Sequence, residues 1–368
     1  MGGGSIVTST TERYQSAGGG RVYRIPLEVF PGLWGNAYLV IKDEVAALID
    51  VGSGFGASDG QLEQGLAEAR KRFGERVGWE TLSHILITHG HIDHFGGLRQ
   101  VAERTHALIG IHELDQRVLS QYEERLSDMA HRLRLFLVEA GAPAAERAGL
   151  MELYLLGKQL FSCSRVDFTF GRDGTTLGPL EVIHVPGHCP GQVVFRLDDI
   201  LISGDHILET ISPHMAPERL APYTGLGHYL ESLNKVRPLA GEISITLGGH
   251  EKPIRDLGGR IGAIEKLHEE RLNAILDLIS EPKTIHELSR LLFPQAEGYH
   301  VLLALEETAA HVEYLHQRGY ATISNPPGVD GSGTLPLEYT SSRKPQPLLQ
   351  VRAQTSLDAH STVTGAAG

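Results

Sequence analysis

A group of metal-ligating side chains directly follows a short apolar run near position 90, and this feature constrains the fold most. The run Ile85–Ile87 predicts a buried strand. After Thr88, four ligand-type residues fall within six positions, namely His89, His91, Asp93 and His94. In a loop that leaves a strand, the two residues at i and i+2 project to the same side, and the next two can turn toward a second point. One loop can therefore serve two metal ions.

Each of these residues alone would ordinarily be a solvated or capping side chain, so the indication of a metal site comes from their combined spacing. The pattern H-x-H-x-D-H at the end of a strand resembles the metal-binding signature of the metallo-β-lactamase superfamily. That family completes its two sites with a later histidine, an aspartate and a final histidine, each after a strand. Residues of these types follow the apolar runs 180–185, 200–202 and 243–247, and they are His188, Asp205 and His250.

The resemblance covers about residues 21–258 and implies a place for each ligand. The first metal would be held by His89, His91 and His188. The second would be held by Asp93, His94 and His250, and Asp205 would bridge both. Asp50 lies where the family often has a carboxylate that orients a ligand histidine, with a simple turn aspartate as the alternative. Such ligands suit two divalent ions, with Zn²⁺ expected, although the same set can hold Fe or Mn.

Two such ions imply hydrolytic chemistry. A water molecule shared between them loses a proton near neutral pH, so the expected nucleophile is a bridging hydroxide. The expected catalytic residues are Asp205, which bridges the ions, and Asp93, which passes a proton to the leaving group. A serine nucleophile is not supported, because Ser53 and Ser203 lack a nucleophile-elbow context. Cys189 is expected to be a packing residue, since a metal-bound His188 cannot act as its base.

Strand-like runs alternate with helical stretches such as 57–73, which predicts an α/β class. The resemblance implies a four-layer αββα sandwich with the site at one edge of the two sheets. Apolar spacing over 116–138 and 150–161 predicts two helices that form an insertion at about 113–165. This insertion could be a lid beside the site or a plain packing element.

A second unit is predicted over residues 259–339. Three helices, the second with a Thr284/Glu287 capping box, precede a hairpin around a Pro-Pro-Gly and Gly-Ser-Gly region. This order resembles a small α+β winged-helix domain, such as the extension found in the lactamase-beta-like branch of the superfamily. Residues 1–20 and 340–368 are rich in Gly, Ser, Thr and Ala without apolar periodicity, and they are predicted to be disordered tails.

Charge and cysteine content narrow the partners and the compartment. With 45 acidic and 33 basic residues the net charge is -12, which disfavours nucleic acid as a partner. No window approaches the roughly 18 apolar residues that a membrane span needs, and the first residues lack a secretory signal. Two cysteines provide no disulfide framework. We expect a cytoplasmic protein without membrane contact that binds a small molecule, with the C-terminal domain as a candidate homodimer interface.

Three functions are compatible with the pattern. The first is hydrolysis of a small thioester, ester or lactone, as the glyoxalase II-like members perform. The second is a nuclease or phosphodiesterase acting on RNA, although Glu306, Glu307 and Glu313 on the predicted exposed side of the third helix oppose it. The third is a metal-binding regulatory protein without catalysis. His214 and Tyr223 are predicted substrate contacts, the alternative being a loop held by prolines.

Overall fold

The computed structural model describes residues 10–158, 161–171, 175–328 and 335–342. Within these ranges no helix combines the length and the apolar character needed to cross a membrane. Two sheets carry the fold, and the ends of their strands bring distant parts of the sequence to one edge.

The first sheet has seven strands, which lie side by side in chain order. They are β1 (Glu12–Gln15), β2 (Arg21–Phe30), β3 (Leu33–Lys42), β4 (Val45–Ile49), β5 (His84–Leu86), β6 (Leu108–His112) and β7 (Phe168–Phe170). The first four pair antiparallel, whereas β4 to β7 are parallel and are joined by crossover helices. The first crossover is α1 (Ser58–Phe73), and the second holds the short helices α2 (Ile92–Phe95) and α3 (Leu98–Ala102). The carboxyl ends of β4, β5 and β6 therefore share one edge.

The second sheet has five strands in the order β12-β11-β10-β9-β8. Their bounds are β8 (Thr175–Leu177), β9 (Leu180–His184), β10 (Val193–Leu197), β11 (Ile200–Gly204) and β12 (Ile245–Gly248). Helix α7 (Leu226–Val236) joins β11 to its parallel neighbour β12. Because β9 and β11 both pair antiparallel with β10, they point the same way as each other and as β12. The carboxyl ends of β9, β11 and β12 therefore also share an edge.

Alternate residues of each strand face different cores, as the pleat of a strand requires. Val40 of the first sheet and Phe195 of the second are fully buried between the sheets. Leu39 faces the other way, into a cluster with Leu66 of α1. Val194 likewise belongs to the cluster that the second sheet forms with the helices outside it. The layers are therefore helix, sheet, sheet and helix, and the predicted αββα sandwich is confirmed.

A helical insertion separates β6 from β7, as predicted for residues 113–165. It contains α4 (Gln116–Ser120), α5 (Tyr122–Glu139) and α6 (Ala144–Lys158). The single helix predicted over 116–138 is broken at Gln121, whose φ of -136° and ψ of 45° are not helical. The second helix begins at Ala144, six positions before the predicted start at Leu150, because the apolar stripe begins later than the helix does.

The C-terminal region contains three helices and a small antiparallel sheet of order β13-β15-β14. The elements are α8 (Leu257–Leu278), β13 (Lys283–Thr284), α9 (Ile285–Leu292), α10 (Tyr299–Gln317), β14 (Ala321–Ile323) and β15 (Glu338–Ser341). The capping box of Thr284 and Glu287 is confirmed at the start of α9. The order agrees with the helices and hairpin expected from the sequence, and the winged-helix assignment stays a prediction, as does the domain boundary at residue 258. Buried residues of both regions, such as Leu233 and Ile264, belong to one apolar cluster.

The structure differs from both predicted tails at the ends that join the folded chain. Residues 12–15 form β1 and pair with β2, so the tail predicted for 1–20 is wrong over this stretch. At the other end, β15 runs to Ser341, beyond the predicted start of the tail at 340. Short polar strands lack the apolar periodicity that marks strands in a sequence. Residues 1–9 and 343–368 lie outside the described residues.

The predicted exposed acidic face of the third helix is wrong. Helix α10 packs against α6, α7, α8 and α9. Glu307 is only 6% exposed, and its carboxylate accepts hydrogen bonds from the Met215 amide and from Arg271. The Glu313 carboxylate accepts hydrogen bonds from the amides of Glu218 and Arg219. These acids are satisfied by the rest of the protein, so they do not form a solvated surface.

Candidate metal centre

The seven residues proposed as metal ligands all follow strand ends at the shared edge of the two sheets. His89, His91, Asp93 and His94 lie in the β5–α2 loop and in α2, so one short segment supplies four of them. The other three follow β9, β11 and β12 of the second sheet, and they are His188, Asp205 and His250. Since the carboxyl ends of these strands meet at one edge, side chains that are up to 161 positions apart can converge.

Three histidines form the first group. The Nε2 atom of His89 lies 3.1 Å from the Nδ1 atom of His91. The ring centre of His188 lies 5.0 Å from that of His89 and 4.5 Å from that of His91. Their ligand atoms, together with the Sγ atom of Cys189, lie within 4.8 Å of one another, which is the spacing that one ion requires of its ligands.

The second group contains Asp93, His94 and His250, whose ligand atoms also lie within 4.8 Å of one another. Asp205 lies beside both groups. Its Oδ1 atom is 3.4 Å from His94 Nε2, and its Oδ2 atom is 3.3 Å from His250 Nε2 and 3.9 Å from His188 Nε2. This carboxylate therefore lies between the two groups.

Hydrogen bonds on the far side of the rings turn the Nε2 atoms inward. His188 Nδ1 donates to the carbonyl of His214 at 2.6 Å, and His250 Nδ1 donates to the carbonyl of Trp34 at 2.7 Å. A carbonyl oxygen can only accept, so each Nδ1 carries the proton and a neutral ring keeps its Nε2 lone pair for a metal. The backbone thus selects the tautomer that a ligand histidine needs.

Asp50, at the end of β4, orients two of the histidines. Its carboxylate accepts hydrogen bonds from His94 Nδ1, from the Thr88 amide and from the Thr88 hydroxyl, all at 2.8 Å. The Thr88 hydroxyl has one proton, which it donates to Asp50. It therefore accepts from His89 Nδ1 at 3.0 Å, and this leaves His89 Nε2 as the free ligand atom.

The buried polar atoms of the site fit a bound cation. In the described part of the chain, His94 Nε2, His188 Nε2 and Asp205 Oδ1 are buried without a hydrogen-bond partner, which is costly unless a ligand satisfies them. A Cβ atom added to Gly249 would lie 2.3 Å from Asp205 Oδ1 and 2.7 Å from His94 Cε1. A glycine is therefore needed before His250 to leave this space open.

The pKa shifts at the site indicate which of the proposed ligands carry a proton. Burial lowers the pKa of His89 and of His91 well below the usual value, so both rings are neutral. Burial also opposes protonation of His94, but the carboxylates of Asp205 and Asp93 overcome it and raise its pKa to about 10. Burial opposes ionisation of Asp205, but the charges of His250 and His94 overcome it and lower the pKa of Asp205 well below the usual value. Protons thus occupy the positions that a divalent cation would take.

Sequence analysis did not identify the contacts that two residues, Asp115 and Cys189, make at the site. The buried Asp115, just after β6, accepts hydrogen bonds from the amides of Gly90 at 2.9 Å and Gly191 at 3.0 Å, so it ties the loop of His89 and His91 to that of His188. Burial raises its pKa to about 6. Its position after a parallel strand is the signal that would have found it, as for Asp50. Cys189, expected to be a packing residue, has its Sγ atom 3.3 Å from His91 Nε2.

The two predicted substrate contacts occupy different places. His214 lies at the site, because its carbonyl accepts from His188 and its Nε2 atom lies 2.9 Å from Glu306 of α10. Burial opposes protonation of His214, but Glu306 overcomes it and raises the pKa. Tyr223 is 46% exposed, and its ring lies 5.9 Å from that of His228. Its contact with substrate stays a prediction.

Comparisons of the sequence with known proteins agree on one family. Residues 32–250 match the family model described as the metallo-beta-lactamase superfamily. The probable metallo-hydrolase YqjP of Bacillus subtilis (strain 168) is 26% identical over 291 residues, which cover 75% of this chain and 86% of that protein. YobT, an uncharacterized protein of the same organism, is 30% identical over 183 residues, 49% of this chain and 65% of its own length.

Solved structures extend the likeness beyond the matched domain. The metallo-beta-lactamase family protein TTHA1429 from Thermus thermophilus is 29% identical with a TM-score of 0.71, covering 87% of this chain and 98% of its own. A beta-lactamase domain protein from Burkholderia ambifaria is 21% identical with a TM-score of 0.70, covering 92% and 97%, and shows the fold alone.

Proposed function

This chain belongs to the metallo-beta-lactamase superfamily and is a metal-dependent hydrolase, and we propose that it uses two divalent ions to cleave a small thioester, ester or lactone. The observation that carries the proposal is the position of Asp205, whose two oxygens face both groups of histidines. A structural zinc site is usually closed by four ligands, whereas this set of seven suits two ions with open positions. Zn²⁺ is the expected metal, because nitrogen and carboxylate ligands suit it.

Each of the two ions would have its own set of ligands. His89, His91 and His188 would hold the first ion, and Asp93, His94 and His250 the second, with Asp205 shared between them. When bound, the ions would lower the pKa of a water molecule enough to provide hydroxide at neutral pH and would stabilise an anionic transition state.

Asp93 is proposed to carry the proton to the leaving group. Its side chain is 17% exposed against 10% for Asp205, so it is the more accessible of the two carboxylates. His250 Nε2 lies 3.3 Å from its Oδ2 atom, so both would share the second ion, which would hold the carboxylate on that side. A carboxylate that is anchored on one side and open on the other can accept a proton and release it during the reaction.

Burial of α10 supports a small substrate over RNA. The helix that would have to enter a nucleic-acid groove is packed on four neighbouring helices, and its acidic residues bind the protein itself. A net charge of -12 also opposes a polyanion. The metal-binding regulatory protein without catalysis, the third function expected from the sequence, is opposed by the match to metallo-hydrolases.

The test is a panel of four substrates offered to the purified protein: a thioester, a lactone, a phosphodiester and a short RNA. We expect cleavage of the thioester or lactone, loss of that activity on chelation, and its return when Zn²⁺ is added. Turnover of RNA alone would support the nuclease, and activity that is indifferent to chelation would exclude the binuclear mechanism.

A further inference from the structure

We propose that Cys189 is a positioning residue for His91, and that its thiol keeps a hydrogen bond to this ring both before and after an ion binds. The inference rests on the proposed two-ion hydrolase and deepens it by adding a residue to the site of the first ion. Cys189 is buried, and its Sγ atom lies 3.3 Å from His91 Nε2. The other ring nitrogen, Nδ1, lies 3.1 Å from His89 Nε2. One side of the His91 ring therefore faces the ligand group, and the other side faces the thiol.

Without an ion, the neighbouring hydrogen bonds determine which nitrogen of His91 carries the proton. His89 Nδ1 donates to the Thr88 hydroxyl, so His89 Nε2 presents only a lone pair. His91 Nδ1 must then donate to His89 Nε2, and the neutral His91 ring has its own lone pair on Nε2. The S–H group of Cys189 is the donor that this lone pair accepts from.

Binding of an ion requires the opposite arrangement of protons on His91. To share the first ion with His89 Nε2, the His91 ring must present a lone pair on Nδ1, so its proton must lie on Nε2. One proton leaves Nδ1 and one joins Nε2, so the charge of the ring does not change. The thiol then turns its S–H bond away and accepts from Nε2–H on sulfur. Because a thiol can both donate and accept, Cys189 remains a partner of His91 in both states.

Three other histidines of the site have partners that fit one tautomer only. Backbone carbonyls accept from His188 and from His250, and the Asp50 carboxylate accepts from His94. These groups cannot donate, so each of the three rings keeps its proton on Nδ1 whether or not an ion is bound. His91 differs from them because its tautomer must change, and its partner is a group that allows the change.

Asp115 holds the two loops that carry His91 and Cys189. Its carboxylate accepts hydrogen bonds from the amide of Gly90, next to His91, and from the amide of Gly191, two positions after Cys189. A Cβ atom added to Gly191 would lie 2.7 Å from Asp115 Cγ, so the loop of Cys189 approaches this carboxylate closely. The distance between Sγ and His91 Nε2 is therefore maintained by the backbone of both loops.

The first test measures the two zinc dissociation constants of the full chain by competition with a chelator of known affinity. Cys189→Ala removes the partner of His91 in both states. Loss of an orienting partner typically costs about tenfold to a hundredfold in metal affinity, so one of the two Kd values should rise by that factor. Cys189→Ser should stay within about threefold of the parent, because a hydroxyl also donates and accepts.

The matched control is Cys163→Ala, because Cys163 is the exposed free cysteine of the chain. Both zinc constants of this variant should equal those of the parent. Thermal unfolding of each variant checks that it is folded. Equal zinc constants in Cys189→Ala and the parent would overturn the positioning role, as would an equal loss of affinity in Cys189→Ala and Cys189→Ser.

A second measurement uses the parent protein and does not depend on the folding of a variant. Protein labelled at histidine with the heavy nitrogen isotope is compared in the metal-free and zinc-loaded states by proton–nitrogen correlation spectra, and His91→Gln assigns the His91 signals. We expect the His91 proton on Nδ1 without metal and on Nε2 with zinc. The same proton position in both states would overturn the change of tautomer.

Replacement of zinc by Co²⁺ shows whether the sulfur itself binds the ion. We expect no thiolate-to-cobalt charge-transfer band in the parent. A band that disappears in Cys189→Ser would make Cys189 a ligand and would overturn its role as a positioning residue.

None of these measurements depends on turnover. If the zinc Kd depends on Cys189 but no substrate of the panel is cleaved, the positioning role stands and the proposed reaction fails. If a thioester or lactone is cleaved while the zinc Kd does not depend on Cys189, the reaction stands and the positioning role is refuted.

Discussion

The edge of the two sheets and helix α10 both act on the metal centre, but they act by different means. At the sheet edge, strand ends supply the ligand atoms and the carboxylate of Asp50 that orients them. Helix α10 supplies no proposed ligand. Its Glu307 binds the Met215 amide, and the neighbouring His214 carbonyl orients His188. The sheet edge therefore builds the centre, and α10 sets the position of one ligand from a distance.

The largest effect is expected at the sheet edge. Asp205→Asn removes the charge shared by the two ions, so it should lower both the metal content and kcat/KM, the latter by about a thousandfold or more. Metal analysis and turnover of the substrate found in the panel measure the two quantities. Asp43→Asn is the control, because Asp43 is exposed with a φ of 53° that asparagine tolerates. Full metal content in Asp205→Asn would exclude a bridging carboxylate.

A smaller effect is expected one hydrogen bond further out. Asp50→Asn keeps the size of the side chain but weakens its hydrogen bonds to His94 and Thr88. Loss of such an orienting partner typically costs about tenfold to a hundredfold in metal affinity or activity. Competition with a chelator of known affinity would report the change in zinc Kd. An unchanged Kd would mean that the Asp50 contacts only stabilise the fold.

Helix α10 offers a matched pair that sharpens the comparison. Glu307 and Glu313 both accept hydrogen bonds from backbone amides of residues 215–219, but only Glu307 acts next to His214. Glu307→Gln and Glu313→Gln should each lower the free energy of unfolding by about 2 kcal/mol. Only Glu307→Gln should also reduce kcat/KM, by about three- to tenfold, because its effect on His188 is one step removed from direct orientation. Equal kinetics in the two variants would show that α10 acts through stability alone.

These two regions also differ in how far the sequence predicted them. The ligand-type residues next to apolar runs carried the resemblance to the family, because a strand end fixes its neighbours locally, and that resemblance implied the Asp50 position and the αββα sandwich. The role of Glu307 depends on a contact 92 positions away, and that of Asp115 on one 76 positions away. Polar residues on a helix are ordinarily solvated, so the acidic pattern of α10 predicted an exposed face. Only the packing of α10 among other helices reverses that interpretation.

The last prediction concerns Asp115, and the measured quantity is the change in the free energy of unfolding with pH. Burial raises the pKa of Asp115 to about 6 in the folded state, above the usual value near 4 in the unfolded chain. The folded state therefore binds more protons between these values, and stability falls as the pH rises from 4 to 6, by about 3 kcal/mol for this group. In Asp115→Asn this contribution is absent. Denaturant unfolding of the metal-free parent and variant at pH 4, 5, 6 and 7 should thus show the parent losing stability relative to the variant. Parallel curves would mean that Asp115 stays ionised across this range, held by the amides of Gly90 and Gly191.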